Sequence, residues 1–235
     1  MRHIKQYNTL AEAQEGLGVD YESKYIVQVG SQPNHEIYFD GEIPTPVVEG
    51  YLSFGSNAYI DTGIIPNINT KVVVTVSAST AIPSYSVLFG SCNSESRYNW
   101  FRVRTEETSY KLNGAVDGDR KNLPELQYPF EGVLTLDKNE IRMRYSDSTE
   151  VYTALSTRTT DIGTLLSLYI GGDHRPSTIA DSKGGFILGE MKIYQNDVLV
   201  ADLIPSPENG GCYYDTVSQT YKTNLGSGTI TFVNK

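Results

Sequence analysis

The residues best suited to hold a ligand are Tyr98, Trp100, Arg102 and Arg104, every second position of Tyr98-Asn99-Trp100-Phe101-Arg102-Val103-Arg104. In an extended strand this spacing puts the four on one face and Phe101 and Val103 on the other. An aromatic face stacks on a sugar ring, and guanidinium groups donate to hydroxyls or acids. The same residues also suit a plainer role: a tryptophan packed under a loop, with arginines pairing the chain's excess acids, and this is the default for such a set. Asp173-His174-Arg175, expected in a loop at one end of the fold, is a second and weaker candidate. The three histidines, His3, His35 and His174, fall in three separate regions, so the spacing offers neither a metal site nor a catalytic triad.

The elements that must carry these residues are short and β-like. Tyr numbers 17 and Gly 21 in 235 residues, a composition that suits pleated half-buried surfaces joined by tight turns. From Gly50 the chain runs Gly50–Phe54, Tyr59-Ile60 and Thr70–Val76, three short segments separated by polar breakers. In the third, Val72, Val74 and Val76 alternate with Lys71, Val73 and Thr75, the period of a half-buried strand. Further strands are expected at Tyr85–Gly90, Tyr98–Arg104 and Leu165–Ile170. Hairpins are expected at Gly132–Leu136/Glu140–Tyr145 and Ile187–Tyr194/Val198–Pro205. Asn113-Gly114 and Asp117-Gly118-Asp119 read as turns, Lys121–Pro129 and Asp173–Lys183 as loops, and Thr153–Ile162 as a polar stretch of no clear type. With no helical period after Gly18, the pattern specifies a mainly β, two-sheet antiparallel sandwich over residues 50–235.

Residues 1–40 read as a separate strand–helix–hairpin module. Ile4–Tyr7 forms its strand, a Thr9/Glu12 capping box opens its short helix, and Tyr25–Val29 and His35–Phe39 form its hairpin. A unit this small needs a partner surface, so it is expected to dock, with Tyr7, Leu10, Tyr25 and Tyr38 as its anchoring residues. The Pro-containing segment 41–49 is the linker.

Composition narrows the partners. A net charge of −9 repels phosphate backbones, which argues against nucleic acid. No apolar run approaches the ~18 residues that would insert in a membrane, and no secretory signal is expected after Met1-Arg2-His3. Cys92 and Cys212 have no metal spacing and are expected as buried thiols, with a disulfide as the alternative.

Gly50-Tyr51-Leu52, Tyr59-Ile60-Asp61-Thr62-Gly63-Ile64 and Asn69-Thr70-Lys71 resemble the first strands of concanavalin A-like (laminin-G-like) jelly-roll domains. Val87-Leu88-Phe89-Gly90-Ser91, Gly189-Glu190-Met191-Lys192-Ile193-Tyr194, Asp202-Leu203-Ile204-Pro205 and the closing Gly211-Cys212-Tyr213-Tyr214-Asp215 with Gly226-Ser227-Gly228-Thr229 continue the resemblance in order. Such domains occur in structural proteins of tailed phages of gut bacteria. Tyr7-Asn8-Thr9-x-Ala11-Glu12-Ala13 and Tyr38-Phe39-Asp40-Gly41 are similar to an N-terminal module on virion proteins of Bacteroides-type, crAss-like phages.

The resemblance implies a non-enzymatic virion protein, such as a head fibre, capsid decoration or tail component. It would assemble in the host cytoplasm, dock to other virion proteins through residues 1–40, and form a homo-oligomer, a trimer being one form that phage fibres take. A carbohydrate-recognising adhesin for host or mucosal glycans is the alternative, and a polysaccharide-cleaving enzyme a third reading. Retaining glycosidases need two carboxylates about 5–5.5 Å apart. The Glu-x-Asp-x-x-Glu pattern is absent here, and Glu190 stands alone, flanked at alternate positions by Leu188 and Lys192. No cofactor is expected beyond calcium at Asp117-Gly118-Asp119, where the simpler reading is a solvated turn.

Overall fold

The computed structural model describes residues 50–92, 100–106, 111–116, 119–155, 166–176, 179–180 and 183–235. All belong to the second of two compact units, Val48–Lys235. The expected N-terminal strand, helix and hairpin, with Tyr7, Leu10, Tyr25 and Tyr38, lie outside the described residues, as do the linker and Tyr98.

In chain order the strands are β1 (Gly50–Phe54), β2 (Ile60–Asp61), β3 (Thr70–Ala78), β4 (Val87–Cys92), β5 (Trp100–Thr105), β6 (Leu112–Val116), β7 (Asp119–Asn122), β8 (Phe130–Leu136), β9 (Glu140–Tyr145), β10 (Glu150–Ala154), β11 (Tyr169–Ile170), β12 (Asp173–His174), β13 (Ile179–Ala180), β14 (Ile187–Gln195), β15 (Val198–Ser206), β16 (Cys212–Asp215), β17 (Thr220–Lys222) and β18 (Ile230–Asn234). Among the described residues the sole helical element is a single 3-10 turn, Glu208–Gly210.

They form two sheets. The larger runs β10-β9-β8-β3-β14-β15-β16-β17, with β1 paired to both β14 and β18; the smaller runs β13-β12-β4-β5-β6-β7, with β11 joining β2 to β4. Neighbours are antiparallel except β12 and β4, which run parallel. This is the two-sheet sandwich that the sequence specifies, closed where β18 lies along β1 from Gly50↔Asn234 to Phe54↔Ile230.

The alternation in β3 explains why the layers stack. Val72, Val74 and Val76 are buried while Lys71, Val73, Thr75 and Ser77 are only partly so. Leu134, Leu136, Ile141, Met143, Leu188 and Ile193 extend that inner face across the larger sheet. Opposite them Leu88, Phe89, Phe101, Val103 and Leu112 fill the inner face of the smaller one. Each such side chain removed from water contributes about 1.5–3 kcal/mol before entropy is counted.

Several local expectations change. Asn113-Gly114 is no turn but the middle of β6. The glycine is there because a Cβ at 114 would sit 2.9 Å from Cβ of Ile141 on the opposite sheet, so the layers could not close. Lys121 and Asn122 belong to β7 rather than to a loop, and the following segment still buries Leu123 and Leu126. β10 has no counterpart among the expected strands; none of its residues is fully buried, so it carries no apolar alternation. Of the strand expected at Leu165–Ile170, the described residues from Leu166 on form a strand at Tyr169–Ile170 alone, while Asp173–Lys183 is not all loop: it supplies β12 and β13. Cys92 and Cys212 are buried thiols on different sheets.

Candidate functional site

β5 carries the first candidate face, and its registry fixes what that face can do. Arg102 pairs with Gly90 on β4, and Gly90 pairs with Asp173 on β12. Because Gly90 has no side chain, the Arg102 guanidinium reaches across it, and Nη1 donates to Asp173 Oδ2 at 3.1 Å. Both side chains are fully excluded from solvent. A Cβ at position 90 would stand 2.5 Å from Asp173 Oδ1, so the glycine is a condition of the ion pair. Arg175 adds a second, more exposed cation, with Nη2 3.3 Å from the same Asp173 oxygen. Burial pulls the Arg102 guanidinium down to about 9, against the opposing pull of Asp173, and Arg104 and Arg120 lower it further.

Arg102 and Asp173, expected on two separate ligand surfaces, are therefore brought together, and neither presents its charge to solvent. Arg104 is 3.6 Å from Glu106 and lies over the Tyr85 ring, 5.1 Å from its centroid. Trp100 opens β5 opposite Cys92. His174 lies on β12 and stacks on Tyr169 at 3.9 Å between centroids, and Tyr169 stacks on Tyr59 at 5.0 Å. Its Nδ1 lies 3.0 Å from the Ser167 carbonyl oxygen. The stack covers both faces of Tyr169, leaving only the outer faces of Tyr59 and His174 for a further ring.

Asp117 and Gly118 of the expected calcium turn lie outside the described residues, while Asp119 opens β7 with Lys121 Nζ 3.6 Å away. Among the described residues no group of three His, Cys, Asp or Glu could hold a metal. Glu190 is exposed and ion-paired with Lys192.

A cavity lined by two aromatic rings and several polar groups lies elsewhere, at the end of the β8–β9 pair, and sequence reasoning missed it. It is a cleft of about 490 Å³ between residues 125–131 and 145–151. Phe130 begins β8 and Tyr145 ends β9, and their rings meet edge to face, 6.4 Å apart at 90°. Tyr128 packs on Phe130 at 5.2 Å between centroids.

The β9–β10 turn forms the rim. Asp147 Oδ1 accepts the Thr149 N–H at 2.8 Å, and Tyr145 N donates to the Thr149 carbonyl at 2.8 Å. Ser146 N ties the turn to the Glu131 carbonyl at 3.0 Å. The bond from Thr149 holds the Asp147 carboxyl below its usual range. Burial, then Tyr128 and Asp147, push the Tyr145 phenol up. Glu131 is engaged by the Tyr51 hydroxyl and, at 3.6 Å, by Lys235. Gln127, Glu125 and Thr149 line the mouth. A half-buried ring flanked by an amide, a hydroxyl and carboxylates is equipped to stack on a sugar ring and bond its hydroxyls. Tyr128-Pro129-Phe130 and Tyr145-Ser146-Asp147 were the available sequence signal, but their meeting depends on tertiary pairing. A second cleft, of about 380 Å³, lies where Asn69, Asp137, Lys138 and Asn196 converge at the opposite end of the β8–β9 pair, and no aromatic side chain lines it.

No protein-family model matches the chain, and no curated protein matches it. Solved structures do. The native heptameric SAP-like pentraxin from Limulus polyphemus matches with a TM-score of 0.50 at 7% identity, over 82% of this chain and 98% of that one. A Bacteroides ovatus protein named for carbohydrate binding matches at 0.53 and 13% identity, over 81% of this chain; the match covers 62% of that protein, less than two thirds of its length. Domains LG4-5 of the mouse laminin α1 chain match more loosely, at 0.44 and 12% identity, over 72% of this chain and 47% of that one. At these identities the likeness is one of fold alone: the described residues form a two-sheet antiparallel sandwich of the jelly-roll kind.

Proposed function

We propose that the jelly roll is a non-catalytic saccharide-binding module that holds a sugar ring in the cleft between residues 125–131 and 145–151. The observation that carries this reading is Tyr145, packed at a right angle to Phe130 and half-buried beside Gln127, Thr149 and Asp147. An aromatic platform with hydrogen-bonding groups at its edge is what a polyhydroxylated ring requires. The Bacteroides ovatus neighbour named for carbohydrate binding supports the reading. Of the cleft's carboxylates, Glu131 is already engaged by Tyr51 and Lys235, and Asp147, held below its usual range by the Thr149 N–H, is poorly placed to act as a general acid.

A glycan array with wild type, Tyr145→Ala, Gln127→Ala and Trp100→Ala tests it. Wild type retains a set of saccharides, Tyr145→Ala and Gln127→Ala weaken them, and Trp100→Ala leaves them unchanged. Loss in Trp100→Ala alone moves the site to β5. No retained saccharide ends the reading.

Placement on a phage particle, with residues 1–40 as the dock and a homo-oligomer as the displayed form, is supported by the sequence resemblance alone. Deleting residues 1–40 tests it: a truncated chain that still enters particles removes the dock.

A further inference from the structure

We infer that the cleft selects saccharides bearing a free ammonium group over neutral ones and rejects those bearing carboxylates or sulfates. This rests on the saccharide reading and adds the ligand's charge to it.

The lining contains three carboxylates, Glu125, Glu131 and Asp147, and no lysine or arginine. Glu131 is partly offset by Lys235. Among the described residues neither Glu125 nor Asp147 has a cation within ion-pairing distance, and both are exposed at the mouth. Asp147 is held in place by the Thr149 N–H rather than by a positive group, and it lines the cleft with its charge not offset by a cation among the described residues.

The aromatic wall adds to the same preference. The face of a phenol ring attracts a cation, and Tyr145 lines the cleft together with Phe130, the two rings meeting edge to face. The chain's net charge of −9 also repels polyanionic glycans at longer range. An acidic sugar would bring a like charge against Glu125 and Asp147, which penalises it; an amino sugar gains attraction from both.

The test uses three oligosaccharides of equal length: glucosamine oligomers, which carry ammonium groups; N-acetylglucosamine oligomers, which keep the backbone and lose the charge; and galacturonate oligomers. Titration calorimetry with the full chain is run at about 0.01 M salt, where charges act over about 30 Å, and at about 0.15 M, where the range falls to about 8 Å. The expected order is glucosamine, then N-acetylglucosamine about tenfold weaker, then galacturonate weakest, with the gaps narrowing at the higher salt. The double variant E125Q/D147N removes both charges and keeps a side-chain oxygen at position 147 to accept the Thr149 N–H. In this variant the preference for glucosamine over N-acetylglucosamine falls from about tenfold to about one, whatever the two substitutions cost both ligands in common.

Equal affinity for the charged and neutral oligomers, unaltered in the variant, overturns the selectivity while the saccharide reading stands. Tighter binding of galacturonate overturns it outright. Failure of all three oligomers to bind, where the array retains other sugars, overturns this inference alone; an empty array removes the saccharide reading itself.

Discussion

Arg102 on β5 and Asp173 on β12 form a fully buried ion pair, Nη1 to Oδ2 at 3.1 Å, and they meet only because the residue between them in the sheet, Gly90, has no side chain. Seventy-one residues apart in sequence, they fasten the short β12 to the centre of the smaller sheet. A buried pair of this kind is weak evidence for net stability, since desolvation opposes the attraction, but removing one partner takes from the other a buried charge-assisted bond that water cannot replace.

Asp173→Ala should therefore cost about 3–5 kcal/mol in urea denaturation, and Gly90→Ala should be destabilising through its clash with Asp173 Oδ1. In the double variant the clash has lost its target, so the two losses should add to less than their sum. Full additivity would show that Gly90 serves some purpose other than the pair.

Gly114→Ala puts a methyl group 2.9 Å from Ile141 on the other sheet. Overpacking of this order costs about 1–3 kcal/mol. The unfolding free energy from urea denaturation should fall by that amount, with a lower midpoint, and an unchanged midpoint would mean that the layers are not held as close as described.

The alkaline limit of the fold should trace partly to Tyr213. Its ring is buried in the core, and its hydroxyl donates to the Gly189 carbonyl at 2.8 Å. Burial raises its pKa well above the ordinary phenol value of 10.0. The folded chain thus keeps a proton that the unfolded chain loses near pH 10, so the stabilising contribution is whole below that pH and fades above it, by about 1.4 kcal/mol per pH unit. Tyr51, Tyr145 and Tyr169 are shifted in the same direction. Tyr213→Phe should cost about 1 kcal/mol at neutral pH through the lost hydrogen bond and show a shallower decline of stability above pH 10. An identical alkaline slope in the two proteins would exclude this role.

Cys92 and Cys212 are both fully buried, and burial pushes the Cys212 thiol up. A thiol-specific chromogenic reagent should find neither in the native protein and two after unfolding. Rapid native labelling, or a disulfide seen by mass spectrometry, would contradict this.

Where a strand buries one face, period-two alternation made it legible: β3, β8, β9 and the β14–β15 hairpin follow from Val72-Val74-Val76, Ile141-Met143 and their neighbours. Where local chemistry serves a long-range need, it misleads. Gly114 resembles a turn residue because the opposite sheet requires the space, and β10 has no apolar stripe because none of its residues is fully buried. Arg102 and Asp173 were each recognisable as unusual residues, but no spacing rule joins them across 71 positions. The cleft escaped for the same reason. Phe130 and Tyr145 come together through the Gly132↔Tyr145 register of β8 and β9, and the chain 125–129 completes the wall only once it has folded back.

A structure of the chain bound to a saccharide retained on the array tests the central claim most directly. The expected result is a sugar ring stacked against Tyr145, with its hydroxyls in hydrogen-bond reach of Gln127 or Thr149. A sugar seated instead on the β5 face or among Asn69, Lys138 and Asn196, with the Tyr145 cleft empty, would contradict the account.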